Sequence, residues 1–160
     1  MKRGWMGLLA LTLLPGIFLG GQPEKLRGQH ARLWSDTRPL INLTHIFYGE
    51  INRRGRPVGF HSRPGGIDPA NSGIVRLIDR PNRAGVYTAM VWIGRRGRSK
   101  FSTFYPDRLT RPMVVEAILS AYRLSRHRGE RFSGPSGHGF TIEGYIQNGR
   151  IQSAYPLYSR

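Results

Sequence analysis

GIVRLIDRPNRAGVYTAMVWIGRRGRSKFSTFY, from Gly73 to Tyr105, sets the architecture. Three runs in it are rich in Val, Ile, Tyr, Phe, Trp and Thr: GIVRLID, VYTAMVWIG and KFSTFY. These side chains suit a pleated, half-buried surface. RPNRAG and RRGR separate the runs, and Gly, Pro and Asn are the residues that turn a chain. Short runs joined this tightly read as antiparallel strands. Upstream the same rhythm holds. HIFYGEI and VGFHS read as strands, with RRGRP and RPGG as turns. Downstream the period changes. Met113, Val114, Ala117, Ile118, Ala121 and Tyr122 recur at helical spacing. Thr110 or Arg111 caps that helix and Pro112 suits its first turn. Glu116 lies early and Arg123, Arg126 and Arg128 lie late, which complements the macrodipole. Gly129 is its expected end. GERFSGPSG reads as a loop. HGFTIEGYI and RIQSAYPLY then form a hairpin around Asn148-Gly149, a strong two-residue turn signal. The expected class is α+β: antiparallel sheets with a few helices in a single domain.

The chain has 160 residues, 39% hydrophobic, enough for a real core. Lys+Arg number 25 against Asp+Glu 9, a formal charge of +16. Nearly all of the excess is arginine, whose planar guanidinium meets phosphate oxygens two at a time. A surface so basic attracts polyanions, and the partners it favours are nucleic acid, foremost, and anionic membrane. The blander reading is a solubilising charge. The chain has no cysteine, which excludes disulfides, thiolate metal sites and cysteine nucleophiles.

Residues 1–21 read as a signal peptide or N-terminal anchor. Lys2 and Arg3 precede an apolar run from Leu8 to Leu19, and Gly20 and Gly21 follow. The run is too short for an ordinary membrane span. The expectation is a secreted or periplasmic protein, without stable membrane insertion once the signal is removed. Residues 22–160 form the domain. Gln22 to Thr37 is polar and basic, either a short helix packed on the domain or a loose segment.

If the polyanion is RNA, its own 2′-hydroxyl can attack the adjacent phosphate. The protein then needs a base, an acid and a cation. Imidazole titrates near pH 6.5, so one histidine can be neutral while another is charged. His45, His61 and Lys100 make such a set. Lys100 is one of three lysines in an arginine-rich chain and opens the strand KFSTFY. The ordinary alternative is three unrelated surface residues. His30, His127 and His138 sit in basic or glycine-rich surroundings and read as bystanders. No two histidines have zinc-binding helical spacing and acidic residues are few, so no metal site is expected.

The succession HIFYGEI…GFHSRPGG, then KFSTFYP, then a helix, then GFTIEGY and IQSAYPLY resembles the bacterial EndoU endoribonucleases of the barnase–EndoU–colicin–RelE-like group. The resemblance covers Asn42 to Tyr158. It implies a catalytic set of His45, His61 and Lys100, with His61 as general base, His45 as general acid and Lys100 beside the charged phosphorane. It implies cleavage at uridines that leaves a 2′,3′-cyclic phosphate. Some eukaryotic relatives depend on manganese, but no residues here look like a dedicated site, so no cofactor is expected. The family's hydroxyl-x-Tyr-Pro element appears as Ser153-Ala154-Tyr155-Pro156. By that match Ser153 bonds the uracil edge and Tyr155 packs on the nucleoside. Ser102 or Thr103 assists the base contact, and Thr141 competes for the role of Ser153. The implied partners are single-stranded RNA and, for a toxin, an immunity protein; the expected state is a monomer. The competing reading is a basic RNA-binding or envelope-associated module without catalysis. It shares the charge and the aromatics but needs none of His45, His61 and Lys100.

Overall fold

The structure is a computed structural model that describes residues 32–94 and 98–160, the side chain of Arg98 excepted. The expected signal, and Gln22 to Ala31, lie outside the described residues. No helix among the described residues is long and apolar enough to cross a membrane.

The deciding stretch folds as its pattern dictates. β4 (Ser72–Asp79), β5 (Tyr87–Ile93) and β6 (Arg98–Phe104) form an antiparallel sheet in that spatial order. Tyr87, Ala89, Val91 and Ile93 alternate along β5 and are all buried. With Phe60 and Phe104 they make one of two cores.

The second sheet runs β1 (Leu40–Ile41), β10 (Arg150–Pro156), β9 (Thr141–Gln147), β8 (Arg131–Pro135) and β7 (Arg126–Arg128). Only the β1–β10 pair is parallel. Helix α2 (Arg111–Arg123) covers one face of this sheet. Val114, Ala117, Ile118 and Ala121 pack there with Phe132, Ile142, Ile151 and Ala154 in the larger core. Thr110 caps α2 with its side chain on the amide of Met113, as expected. Asn148 and Gly149 take φ of 52° and 69°, the left-handed pair that a tight hairpin requires.

Four expectations need correction. VGFHS is not a strand: strand pairing ends at its first residue, Val58, and the amides of Phe60, His61 and Ser62 go instead to the carbonyls of His45 and Ile46. HIFYGEI is not a strand. α1 (Leu43–Phe47) occupies its first half, because the side chain of Asn42 accepts from the His45 amide and caps a helical turn. Gly49, at φ 69°, then reverses the chain into β2 (Glu50–Ile51), which pairs with β3 (Pro57–Val58). The helix α2 ends at Arg123, not at Gly129, which instead turns the β7–β8 hairpin. GERFSGPSG is not a loop. Its small residues hid a two-residue alternation, with Phe132 and Gly134 buried between exposed Arg131, Ser133 and Pro135. Within Gln22–Thr37, the described part is non-helical: the Leu33 carbonyl accepts from Leu43 and Thr44, and Trp34 bridges to Asn42.

One irregularity sets the fate of β10. The register slips by one residue between Ile151 and Ser153. Ile151 and Ala154 are buried toward α2, while Ser153 and Tyr155 are only half-buried. The extra residue moves Ser153 and Tyr155 to the face opposite α2. There they join their cross-strand neighbours Tyr145 and Glu143.

The contact of α2 with the sheet depends on Gly134. A methyl group there would run into the carbonyl of Ala121. Gly134→Ala should therefore cost about 1–3 kcal/mol, read as a lower urea midpoint at unchanged m-value.

Candidate active site

A helix of five residues cannot satisfy its own ends. The last carbonyls of α1 are satisfied by another segment. The His45 carbonyl accepts from the Phe60 amide at 2.7 Å, and the Ile46 carbonyl accepts from His61 at 2.7 Å and Ser62 at 3.1 Å. His45 and His61 are thereby brought together, with ring centroids 5.6 Å apart. Close approach requires Gly59, because a side chain there would strike the His45 carbonyl. Gly59 has φ 78° and Phe60 φ 61°. A positive φ is strained for a bulky residue. The Phe60 ring compensates by packing edge-on against Phe104 at 5.1 Å, fully buried.

This turn aims two carbonyls at β6. Gly59 accepts from Lys100 Nζ at 2.9 Å, and Phe60 accepts from Ser102 Oγ at 2.6 Å. The Lys100 ammonium keeps two further protons to give. Burial lowers it from 10.5 to about 8.

The environment of His61 fixes its tautomer. Nδ1 lies 3.0 Å from the Thr103 carbonyl and 3.1 Å from Ser102 Oγ. The Ser102 proton goes to Phe60, so both neighbours of Nδ1 are acceptors. Nδ1 therefore carries the hydrogen, and Nε2 of the neutral ring holds a bare lone pair. Burial pushes His61 well below 6.5, and the charges of Lys100 and His45 push the same way. His45 is held differently. Its Nδ1 lies 3.3 Å from the carboxylate of Glu50. The bond from His45, joined by the Arg32 guanidinium at 3.0 Å, holds Glu50 below the usual carboxylate range.

The other wall is the exposed face of the second sheet. The Tyr155 ring lies 5.5 Å from that of His61. Its hydroxyl donates to Glu143 at 2.5 Å. Burial, then the Glu143 bond, raises the phenol far above its ordinary value. Arg131 also binds Glu143, at 2.6 Å, and lies over the Tyr145 ring. Ser153 stands opposite Tyr145 with a hydroxyl that has no partner among the described residues. Thr141 is exposed at the far end of the same face.

Four of the expected site residues therefore gather around one cleft, His45, His61, Lys100 and Tyr155, and Ser153 lies on the same face of β10 as Tyr155. Ser102 and Thr103 are placed differently from expectation. Ser102 is 1% exposed and lies behind the imidazole. The Thr103 side chain points to the other face of β6 from Lys100 and Ser102, as alternation requires; its carbonyl alone meets His61. Neither presents a hydroxyl to the cleft. The sequence reading missed Glu50, Glu143 and the Gly59-Phe60 turn. Glu50 and Glu143 carried a signal, as two of nine acids in a chain of 25 bases. No three His, Cys, Asp or Glu side chains among the described residues are grouped to hold a metal ion.

A neutral imidazole, a second imidazole on a carboxylate, and a largely desolvated ammonium can exchange protons and can seat an anion. The family described as bacterial EndoU nuclease matches residues 41–158. The chain belongs to that family. A Bacillus cereus protein named as a toxin is 35% identical over 124 residues, 71% of this chain and 22% of that protein. The chain thus spans about a fifth of that relative's length. Among solved structures, it is similar to the endoribonuclease Nsp15 encoded by Middle East Respiratory Syndrome Coronavirus, with a TM-score of 0.46 and 10% identity, over 73% of this chain and 34% of that one.

Desolvation of Lys100 has a measurable cost. At pH 7 the ammonium is charged in both the folded and unfolded states, and burial disfavours the folded one. Above 10.5 it is neutral in both and the penalty is gone. Lys100→Met should be more stable than the parent at pH 7, by on the order of 1–3 kcal/mol. The gap should close as pH rises from about 8 through 10.5. Paired urea titrations at pH 7 and pH 10.5 read this directly.

Proposed function

We propose that the protein is an exported, metal-independent endoribonuclease that cuts single-stranded RNA at uridines. The observation that carries this reading is the locked His61: its Nδ1 is occupied, which leaves Nε2 with the free lone pair, and its ring lies beside His45 and within the field of Lys100. His61 Nε2 takes the 2′-hydroxyl proton. The alkoxide attacks the adjacent phosphorus. Lys100 donates to the phosphorane oxygens, and His45 gives a proton to the departing 5′-oxygen. The products are a 2′,3′-cyclic phosphate and a free 5′-hydroxyl. Atoms and charge balance without a metal.

Uridine choice rests on Ser153 and Tyr155. A hydroxyl both donates and accepts, so Ser153 can give to uracil O2 and accept from N3–H. Cytosine has no N3–H. The Tyr155 ring packs on the nucleoside without reading its edge. The name of the Bacillus cereus relative supports a toxin role, and with it an immunity partner; the N-terminal pattern supports export to the periplasm or beyond. Ser102 becomes a positioning residue, which holds the His61 tautomer.

With single-uridine oligonucleotides in EDTA, the protein cuts after uridine and leaves cyclic phosphate ends; DNA is not cut. Retained RNA binding without any cleavage would leave the non-catalytic module as the answer. His45→Ala and His61→Ala should each lower kcat about 10²–10⁴-fold. Activity should follow a bell between about pH 5 and 8. Its acid limb should lie below 6.5, because burial keeps the base deprotonated. Ser153→Ala should narrow the uridine–cytidine gap by about 1 kcal/mol, while Tyr155→Ala slows both bases alike.

A further inference from the structure

We propose that the β2–β3 hairpin is a phosphate clamp for RNA on the 3′ side of the cut, with Arg53, Arg54 and Arg56 as its contacts. The polarity rests on the proposed role of His45 as proton donor to the leaving 5′-oxygen.

The hairpin tip is NRRGR, from Asn52 to Arg56. It is tightly built. Asn52 N donates to the Arg56 carbonyl, Gly55 N donates to the Asn52 carbonyl, and Asn52 Oδ1 accepts from the amides of Arg54 and Arg56, all at 2.8–3.0 Å. Three exposed arginines are thus held on a short, ordered turn. None has a carboxylate partner among the described residues. Three other arginines differ in this. Arg32 is paired with Glu50, Arg63 with Asp68 and Asp107, and Arg131 with Glu143. Unpaired guanidiniums on an ordered turn are free for phosphate, which they meet two oxygens at a time.

The hairpin is also anchored in the site. Glu50, in β2, bonds His45. Gly59, one residue beyond β3, accepts from Lys100 and lies against His45. The tip stands three to four residues from Glu50, roughly 10 Å at strand rise. The arginine side chains extend that reach along the strand of nucleotides.

Polarity follows from the two rings that flank the proposed base. His61 lies 5.6 Å from His45 and 5.5 Å from Tyr155. The nucleoside whose 2′-hydroxyl reacts belongs on the Tyr155 side. The departing 5′-oxygen belongs on the His45 side, and the rest of the 3′ product beyond it, toward the hairpin. On the Tyr155 wall Arg131 is paired with Glu143, and the exposed Arg126 and Arg128 lie farther out on the edge strand β7. The hairpin is assigned to the 3′ segment because Glu50, at its base, bonds His45.

The test measures binding and cleavage separately. Fluorescent oligonucleotides carry one 2′-deoxyuridine, which cannot be cut, and are extended by three nucleotides on the 3′ or the 5′ side. The 3′ extension should tighten binding about tenfold and the 5′ extension much less. In the Arg53→Ala, Arg54→Ala, Arg56→Ala variant the 3′ gain should vanish, and the slope of log K against log salt should fall by about 2. The triple lysine variant should keep most of the gain, which separates lost charge from a damaged turn. Equal tightening by both extensions, or a 3′ gain that survives the alanines, overturns the clamp. Ribouridine counterparts read the chemistry: a ribouridine strand left intact overturns the catalytic reading, and the deoxyuridine series still decides the clamp.

Discussion

Two backbone hydrogen bonds, from Phe60 and His61 to the last carbonyls of α1, hold the site together. Each is an ordinary bond, worth about 1 kcal/mol net. Their importance is in what they join. A five-residue helix leaves carbonyls that must find donors, and the segment that supplies them carries the second histidine. The same segment, bent at Gly59 and Phe60, sends its own carbonyls to Lys100 and Ser102. The three side chains proposed for catalysis, from α1, a loop and β6, are thus registered by main-chain groups. Side-chain geometry inherits the precision of the backbone, and the strain at Phe60 is offset by the core into which its ring is pressed.

The chemistry of the cleft is arranged by unequal solvation. His61 and Lys100 are stripped of water, and both are displaced toward their neutral forms. His45 and Tyr155 instead hold carboxylates, Glu50 and Glu143, each shared with an arginine. The buried pair sits in the middle and the ion-paired groups on the flanks. An anion entering the cleft would restore to Lys100 the charge partner that burial has withheld. Stability is given up in the empty site and recovered on occupancy, which is a common arrangement where binding must be coupled to chemistry.

Much of the fold was legible in the sequence because it is governed by local periodicity. β4 to β6, α2 and the Asn148-Gly149 hairpin follow from alternation, helical spacing and turn chemistry. The failures have one cause: local signal too short or too bland. α1 depends on a cap at Asn42 and on bonds to residues some fifteen positions away. β8 presents Ser, Gly and Pro where a strand ordinarily shows branched residues, and is held by pairing with β9. At the site, residue types suggested His45, His61 and Lys100, and the hydroxyl-x-Tyr pair suggested Ser153 and Tyr155. The difference between Ser102, folded behind an imidazole, and Ser153, open to the cleft, is a matter of which strand face each occupies. No residue-by-residue property records that.

The slipped register in β10 makes the point in another form. Ser153 and Tyr155 face the cleft because the strand holds one residue more than its partner between Ile151 and Ser153. Delete Gln152 and the ladder becomes regular with the same partners: Ile151 still faces α2, and Ser153, now its neighbour, still faces away. Delete Ala154 instead and Ser153 and Tyr155 become neighbours, so that one of them must turn into the apolar layer beneath α2. The bulge is therefore the one place in this stretch where the chain can lose a residue without moving the side chains that follow. Length is free at Gln152 and fixed two residues later.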